Sequence, residues 1–197
     1  MLRVALTFDV EHPDRPTRDG VTQDIVAALS AADVRATMFL QGRWVGAYPS
    51  VARQIAEAGH LIGNHSYFHA RMPMLTARAL ASDVLTATST IRDVLGVDPR
   101  PWFRCPFGAG MDDAEVLRRL EEMGYVHVGW DVDPRDWHED SDAEAVARRV
   151  LEGIRTRDDS IVLLHSWPDS TGEALPRILD GLAAEGAELV DVATMGG

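Results

Sequence analysis

Residues 61–69, Leu61-Ile62-Gly63-Asn64-His65-Ser66-Tyr67-Phe68-His69, pass from a short apolar strand signal straight into two imidazoles four residues apart. On one turn of helix, positions i and i+4 share a face, so both rings can bind one cation. A histidine pair at this spacing also arises by chance and is compatible with an ordinary structural role. The same order, apolar strand then polar residues, recurs upstream: Leu6-Thr7-Phe8-Asp9-Val10-Glu11 ends another apolar run in two carboxylates. A histidine pair with one carboxylate leaves part of a metal's coordination sphere open, as a catalytic site requires and a structural zinc site does not.

Working outward, short apolar runs alternate with longer helical patterns. Strands are expected over 4–8, 36–40, 61–63, 102–103, 126–130, 161–164 and 188–192. Helices are expected over 22–32 with Thr22 as N-cap, 50–58 stopped by Gly59, and 76–95 capped by Thr76 and stopped by Gly96. Three more are expected over 112–123, 142–156 and 175–185. Repeated strand-then-helix order argues for a parallel sheet covered by helices. About seven or eight such units favour a closed or nearly closed barrel over an open sheet. No repeat or low-complexity linker interrupts the pattern, so one domain over 1–197 is expected, an α/β barrel of about seven parallel strands ringed by helices.

Composition narrows the function classes. With 19 basic and 31 acidic residues the net charge is −12 and no basic run is present, which argues against a nucleic-acid partner. The one cysteine, Cys105, excludes an internal disulfide and a cysteine-rich zinc cluster. No apolar stretch approaches the length of a membrane span, so no membrane association is expected. The start Met1-Leu2-Arg3-Val4-Ala5-Leu6 lacks the charged leader and long apolar core of a signal peptide, giving a cytoplasmic expectation. Oligomeric state has no signature here.

In parallel α/β folds chemistry gathers at the C-terminal ends of strands. Asp9 and Glu11 follow the first expected strand, His65 and His69 the third, and Arg104, Pro106 and Phe107 the fourth. Asp133, Asp136 and Trp137 follow the fifth, and His165 the sixth. Five strand ends thus deliver unusual residues to one face.

In these stretches the sequence resembles the NodB-homology polysaccharide deacetylases, metal-dependent carbohydrate esterases with a distorted (β/α) barrel. Five motifs stand in family order: Thr7-Phe8-Asp9-Val10-Glu11, Gly63 to His69, Phe103-Arg104-Cys105-Pro106-Phe107-Gly108, Asp133-Pro134-Arg135-Asp136-Trp137 and Leu163-Leu164-His165. The resemblance implies removal of N-acetyl groups from an N-acetylglucosamine-containing oligosaccharide or glycan. Acetylated xylan, or a formyl, imide or other non-sugar amide, is the alternative substrate. A non-catalytic carbohydrate-binding domain is the remaining alternative.

The resemblance also implies roles. His65 and His69 hold a divalent cation, zinc or else cobalt, nickel or manganese, which polarises the acetyl carbonyl and activates water. Asp9 is the general base and Arg104 holds it. The backbone N–H of Phe107 helps bind the developing oxyanion. His165, supported by Asp136, protonates the leaving amine. Trp137 forms an apolar wall for the sugar or its acetyl group. One departure stands out: the family usually has two adjacent aspartates in its first motif, and here Val10 takes the second place. Glu11 is the expected third ligand, with Asp9 as ligand or a weakened site as rivals; adjacent His12 is a further possibility.

Other polar and aromatic residues have plainer readings. Asp133, before a proline, can simply brace a turn. Cys105 reads as a small buried filler. His60 and His127 read as structural histidines. Trp44, Trp102 and Trp130 read as core, and Trp167 as exposed near His165. The stretch 139–142 reads as a solvated helix start whose charge complements the helix dipole.

Overall fold

In a computed structural model, residues 2–14 and 18–195 are described. They contain seven strands: β1 (Arg3–Val10), β2 (Thr37–Leu40), β3 (Leu61–Asn64), β4 (Trp102–Phe103), β5 (Val126–His127), β6 (Asp159–His165) and β7 (Glu188–Val190). Eight helices connect or follow them: α1 (Val21–Ala31), α2 (Gly42–Ala47), α3 (Pro49–Glu57), α4 (Ala77–Leu95), α5 (Ala114–Glu122), α6 (Ala143–Ile154), α7 (Asp169–Ala184) and α8 (Val192–Met195). Every strand pairing is parallel, in the order β5-β4-β3-β2-β1-β6. On one edge β1 pairs with β6 along nearly its whole length. On the other, its first half (Arg3 to Ala5) pairs with β7 and its second half (Thr7 to Val10) with β2. Beyond β5, a single bridge between Val132 and Val162 brings the chain back to β6. The sheet is therefore curled into a distorted half-barrel ringed by helices, as expected.

Period-two alternation along β1 sorts its residues. Val4, Leu6, Phe8 and Val10 join the large outer cluster, against Val21, Ile25 and Leu29 of α1, Val146 and Val150 of α6, and Ile178 and Leu182 of α7. Ala5 faces the other way, into a smaller cluster with Phe39, Val128 and Val190. Thr7 and Asp9 share that inner side, where they meet Arg104. Val10 is thus a core residue.

Several boundaries differ from expectation, each for a local reason. The histidine segment is not helical: β3 runs through Asn64, and 65–70 is an irregular loop. α1 starts at Val21 on a left-handed Gly20 (φ 93°), and the Thr22 hydroxyl donates to the carbonyl of Ser166 instead of capping. The short α2, joined to β2 through Gln41 alone, is an element the sequence reading does not contain. β5 ends at His127, because Arg104 takes the carbonyls of Val128 and Gly129 that would continue a ladder. α7 begins at Asp169, ahead of both Gly172 and Pro176; burial of Thr171, Ala174 and Leu175 outweighs those breakers. Caps at Thr76, Asp113 and Asp142 hold α4, α5 and α6. Among the described residues no helix is long and apolar enough to cross a membrane.

Candidate active site

The C-terminal ends of β1, β3, β4 and β6 converge on a cavity of about 420 Å³. It is lined by Asp9, Glu11, His12, His69, Arg71, Phe107, Trp130, Asp133, Trp137, Leu163, His165 and Trp167. His65, Arg104 and Asp136 are buried directly behind the lining.

The first wall is built from β1 and the loop after β3. Because residues i and i+2 of a strand share a face, Asp9 and Glu11 both reach the inner side while Val10 packs outward. Glu11 Oε2 lies 3.2 Å from His65 Nε2 and in close contact with His69 Nε2, and the two imidazole nitrogens are 3.1 Å apart. Glu11, His65 and His69 offer ligand atoms that all lie within 4.8 Å of one another. His12 is not part of that set; its Nε2 lies 2.8 Å from the other Glu11 oxygen, Oε1. Asp9 Oδ2 is 3.4 Å from His65 Nε2.

The donor set fits a metal ion. Four ligands at 2.0–2.1 Å in a tetrahedron stand about 3.3–3.4 Å apart, close to the separations of His65 Nε2 from Glu11 Oε2 and from His69 Nε2. Glu11 Oε2 is buried and, among the described residues, has no hydrogen-bond donor aligned on it, an arrangement that a shared cation would complete. His65 Nδ1 faces the carbonyl of Arg104 at 3.0 Å, which fixes the proton there and leaves the Nε2 lone pair for the centre. Burial alone would raise the Glu11 carboxyl, but His12, His65 and His69 hold it well below the usual carboxylate range. Burial pushes the His69 imidazole below its ordinary value, the neutral form that ligates.

Without helical hydrogen bonds, the histidine loop is held by side chains. Asn64 Oδ1 accepts from the Ser66 N–H, and the Ser66 hydroxyl oxygen accepts from the His69 N–H. Buried Asp83 of α4 accepts from the N–H groups of Tyr67 and Phe68 at 3.1 and 2.9 Å. The first N–H groups of α2, Gly42 and Arg43, donate to the carbonyls of Ser66 and Tyr67. Ser66 and His69 adopt left-handed backbone (φ 62° and 59°), as do His12, Phe107 and Arg135 in the other site loops. Such positions cost about 1–3 kcal/mol each for residues with a side chain and persist where surroundings impose them.

Arg104 ties the walls together from below. Its guanidinium is fully buried and donates to Asp9 Oδ1 (3.0 Å), the Thr7 hydroxyl (2.8 Å) and the carbonyls of Val128 and Gly129. Its charge lies 4.1 Å from the centre of the Phe39 ring.

The second wall carries the pair Asp136 and His165. Asp136 Oδ1 lies 2.8 Å from His165 Nδ1, while Oδ2 accepts from the His165 N–H and the Thr171 hydroxyl, both at 2.7 Å. Burial works against charge on this imidazole, but Asp136, with Glu11 and Asp9 further off, pushes its pKa up to about 9. Trp137 stands half-exposed at the rim, and the exposed Phe107 ring packs on His69 with centroids 4.4 Å apart.

The structure places the nine residues named from the sequence, Asp9, Glu11, His65, His69, Arg104, Phe107, Asp136, Trp137 and His165, in the lining of one cavity or buried behind it. Sequence reasoning missed the supports. Asp83 and Gln41 lie far from every motif, and Thr171 sits in a stretch read as loop. Trp130, read as core, lines the cavity. Asp133 braces its turn by accepting from the Arg135 N–H and also lines the cavity. His60 Nδ1 accepts from the Ala36 N–H, as a structural histidine does. His127 is half-buried and, like His60, uses only Nδ1, which accepts from the Cys105 N–H; neither Nε2 has a hydrogen-bond partner among the described residues. Cys105 is buried and its thiol is pushed up to about 12, an inert filler.

Comparison with known proteins bears on the family and the fold. The sequence profile of the family described as polysaccharide deacetylase matches residues 2–128. The peptidoglycan-N-acetylglucosamine deacetylase of Bacillus cereus is 30% identical over 196 residues, 98% of this chain and 67% of that protein. A chitooligosaccharide deacetylase of Azorhizobium caulinodans is 32% identical over 162 residues, 82% of this chain and 72% of that one. Among solved structures, a family 4 carbohydrate esterase pseudoenzyme from Bacillus anthracis superposes with a TM-score of 0.87 at 28% identity, covering 98% of this chain and 64% of that chain. Some relatives are longer still: the chain spans 38% of a Listeria monocytogenes peptidoglycan-N-acetylglucosamine deacetylase. Sequence profile, relatives and fold converge, and the chain belongs to the polysaccharide deacetylase family, the NodB-homology group of carbohydrate esterases.

Proposed function

We propose that this chain is a metal-dependent hydrolase that removes N-acetyl groups from an N-acetylglucosamine-containing oligosaccharide or glycan. The observation that carries the reading is the shared contact of one buried carboxylate oxygen, Glu11 Oε2, with both imidazoles, across the cavity from the Asp136–His165 pair. His65, His69 and Glu11 hold the cation. When bound, zinc or a similar divalent ion supplies Lewis acidity toward a carbonyl and lowers the pKa of water from 15.7 towards about 7.

The chain's own residues do the rest. Asp9, fixed through Oδ1 by Arg104, presents Oδ2 towards the centre and takes the proton from the attacking water. The Phe107 backbone N–H, turned by its left-handed conformation, stabilises negative charge developing on the acetyl oxygen. His165 is charged at neutral pH and gives its proton to the leaving amine, with Asp136 holding Nδ1 so that Nε2 serves the substrate. Trp137, Trp130 and Leu163 give the acetyl group and sugar ring an apolar lining. The B. cereus and A. caulinodans relatives, whose names give N-acetylated glycans as substrates, support this substrate class.

The test is acetate release from N-acetylglucosamine oligomers, peptidoglycan fragments and acetylated xylan, with zinc or cobalt added and a chelator control. Chelator-sensitive release from the first two is expected. Release from xylan alone would make the chain an O-acetyl esterase. Glycan binding without release, in protein shown to hold metal, would make it a non-catalytic relative.

A further inference from the structure

Glu11 lies just beyond the last residue of β1, and its two carboxylate oxygens face different groups. Oε2 meets the imidazoles of His65 and His69; Oε1 lies 2.8 Å from His12 Nε2 and accepts from Trp167 Nε1 at 3.4 Å. His12 can fold back on its neighbour because its backbone is left-handed (φ 59°), and its N–H donates to Gln41 Oε1 at 2.9 Å. Its ring also stands edge-on to His69, with centroids 4.7 Å apart.

We propose that His12, anchored by Gln41, is a positioning residue that grips Glu11 Oε1 so that Oε2 alone faces the metal site. The inference rests on the metal-centre reading of Glu11, His65 and His69. The physical need is specific to this chain. A glutamate two residues beyond Asp9 has one more rotatable bond than an aspartate, so its carboxylate must be aimed from outside. A carboxylate turning both oxygens to the cation would also occupy the open position that a reacting group requires. Partners that orient a ligand in this way contribute about 10–100-fold to metal affinity.

The experiment compares His12→Gly and His12→Gln with the parent chain. Zinc and cobalt affinities are measured by competition with a chromophoric chelator, alongside the cobalt absorption spectrum at saturation and thermal melting without metal. Glycine accepts the left-handed backbone while removing the ring; glutamine returns an amide donor close to the position of Nε2. The expected result is a 10–100-fold weaker affinity for both metals in His12→Gly, with melting unchanged or higher, and recovery in His12→Gln. The saturated cobalt spectrum should match the parent's. Affinity of His12→Gly within about twofold of the parent overturns the proposal while leaving the metal centre intact. So does a glutamine variant as weak as the glycine one, or a cobalt spectrum that loses a nitrogen ligand, which would make His12 a ligand itself. A parent chain that binds neither metal overturns the metal-centre reading, and this inference with it.

Discussion

The two walls of the cavity hold charged groups out of water in opposite ways. On the second wall, Asp136 spends both oxygens on three donors of the chain itself: the His165 ring and N–H and the Thr171 hydroxyl. On the first, Glu11 Oε2 and two imidazole nitrogens crowd together with no aligned donor on the oxygen among the described residues. One wall is complete as folded; the other, on the proposed function, would be completed by a cation. Removing metal should therefore alter the first wall and leave the second unmoved, and every expectation below probes that independence.

The largest effect belongs to Glu11. Glu11→Ala removes a ligand outright, so zinc affinity should fall by more than the roughly 100-fold that an orienting partner contributes, and deacetylation with it. Zinc at about 100 times its Kd stabilises a protein that binds it only when folded by about 2.7 kcal/mol. Thermal melts with and without zinc should show that gain in the parent and in Asp136→Asn, and no gain in Glu11→Ala. A Glu11→Ala protein of full zinc affinity would assign the third ligand to Asp9 and end the contrast between the walls.

Asp136→Asn comes next. With its folded pKa raised to about 9, His165 remains a proton donor below that value and loses the role above it. The alkaline limb of kcat/KM should therefore lie near 9 in the parent. Removing the carboxylate charge should move the limb down towards the ordinary histidine value of about 6.5, lowering kcat/KM about fourfold at pH 7 and about 150-fold at pH 9. The linkage has the same sign for stability: a raised histidine pKa stabilises the fold fully below about 6.5, and that contribution disappears as pH rises through about 9. An unmoved limb would show that another group sets it.

How far the site could be read from sequence follows the same division between residues and supports. Strand-end placement identified Asp9, Glu11, His65, Arg104, Asp136 and His165, because alternation along β1 and parallel strand order are properties of residue pattern. The histidine pair does not meet across one turn of helix, the geometry its spacing predicts. His65 and His69 meet because a left-handed Ser66 and His69 bend the loop and Asp83, 14 positions beyond His69, ties its N–H groups. Nothing near the motif signals Asp83, Gln41 or Thr171; each is an ordinary polar residue given its role by tertiary packing. The same holds for the first turns of α7, ahead of the helix expected from 175, where burial against α1 and α6 carries the helix back to Asp169 through Gly172.

The smallest expected effect concerns Trp137. Trp137 is 44% exposed and belongs to neither charge network, so Trp137→Ala should leave melting temperature, zinc affinity and the pH limb where they are. What it removes is an aromatic face beside the reacting groups, worth about 1 kcal/mol towards a C–H-rich ligand. That corresponds to a rise of about fivefold in KM for an N-acetylglucosamine oligomer, with kcat nearly unchanged, because the contact is made equally in ground and transition states. Should kcat fall instead, Trp137 must act on the transition state through the neighbouring Asp136, and the second wall would then be more than a hydrogen-bonded pair. A change in zinc affinity would be the more serious result, since a rim residue of one wall would then be coupled to the ligands of the other.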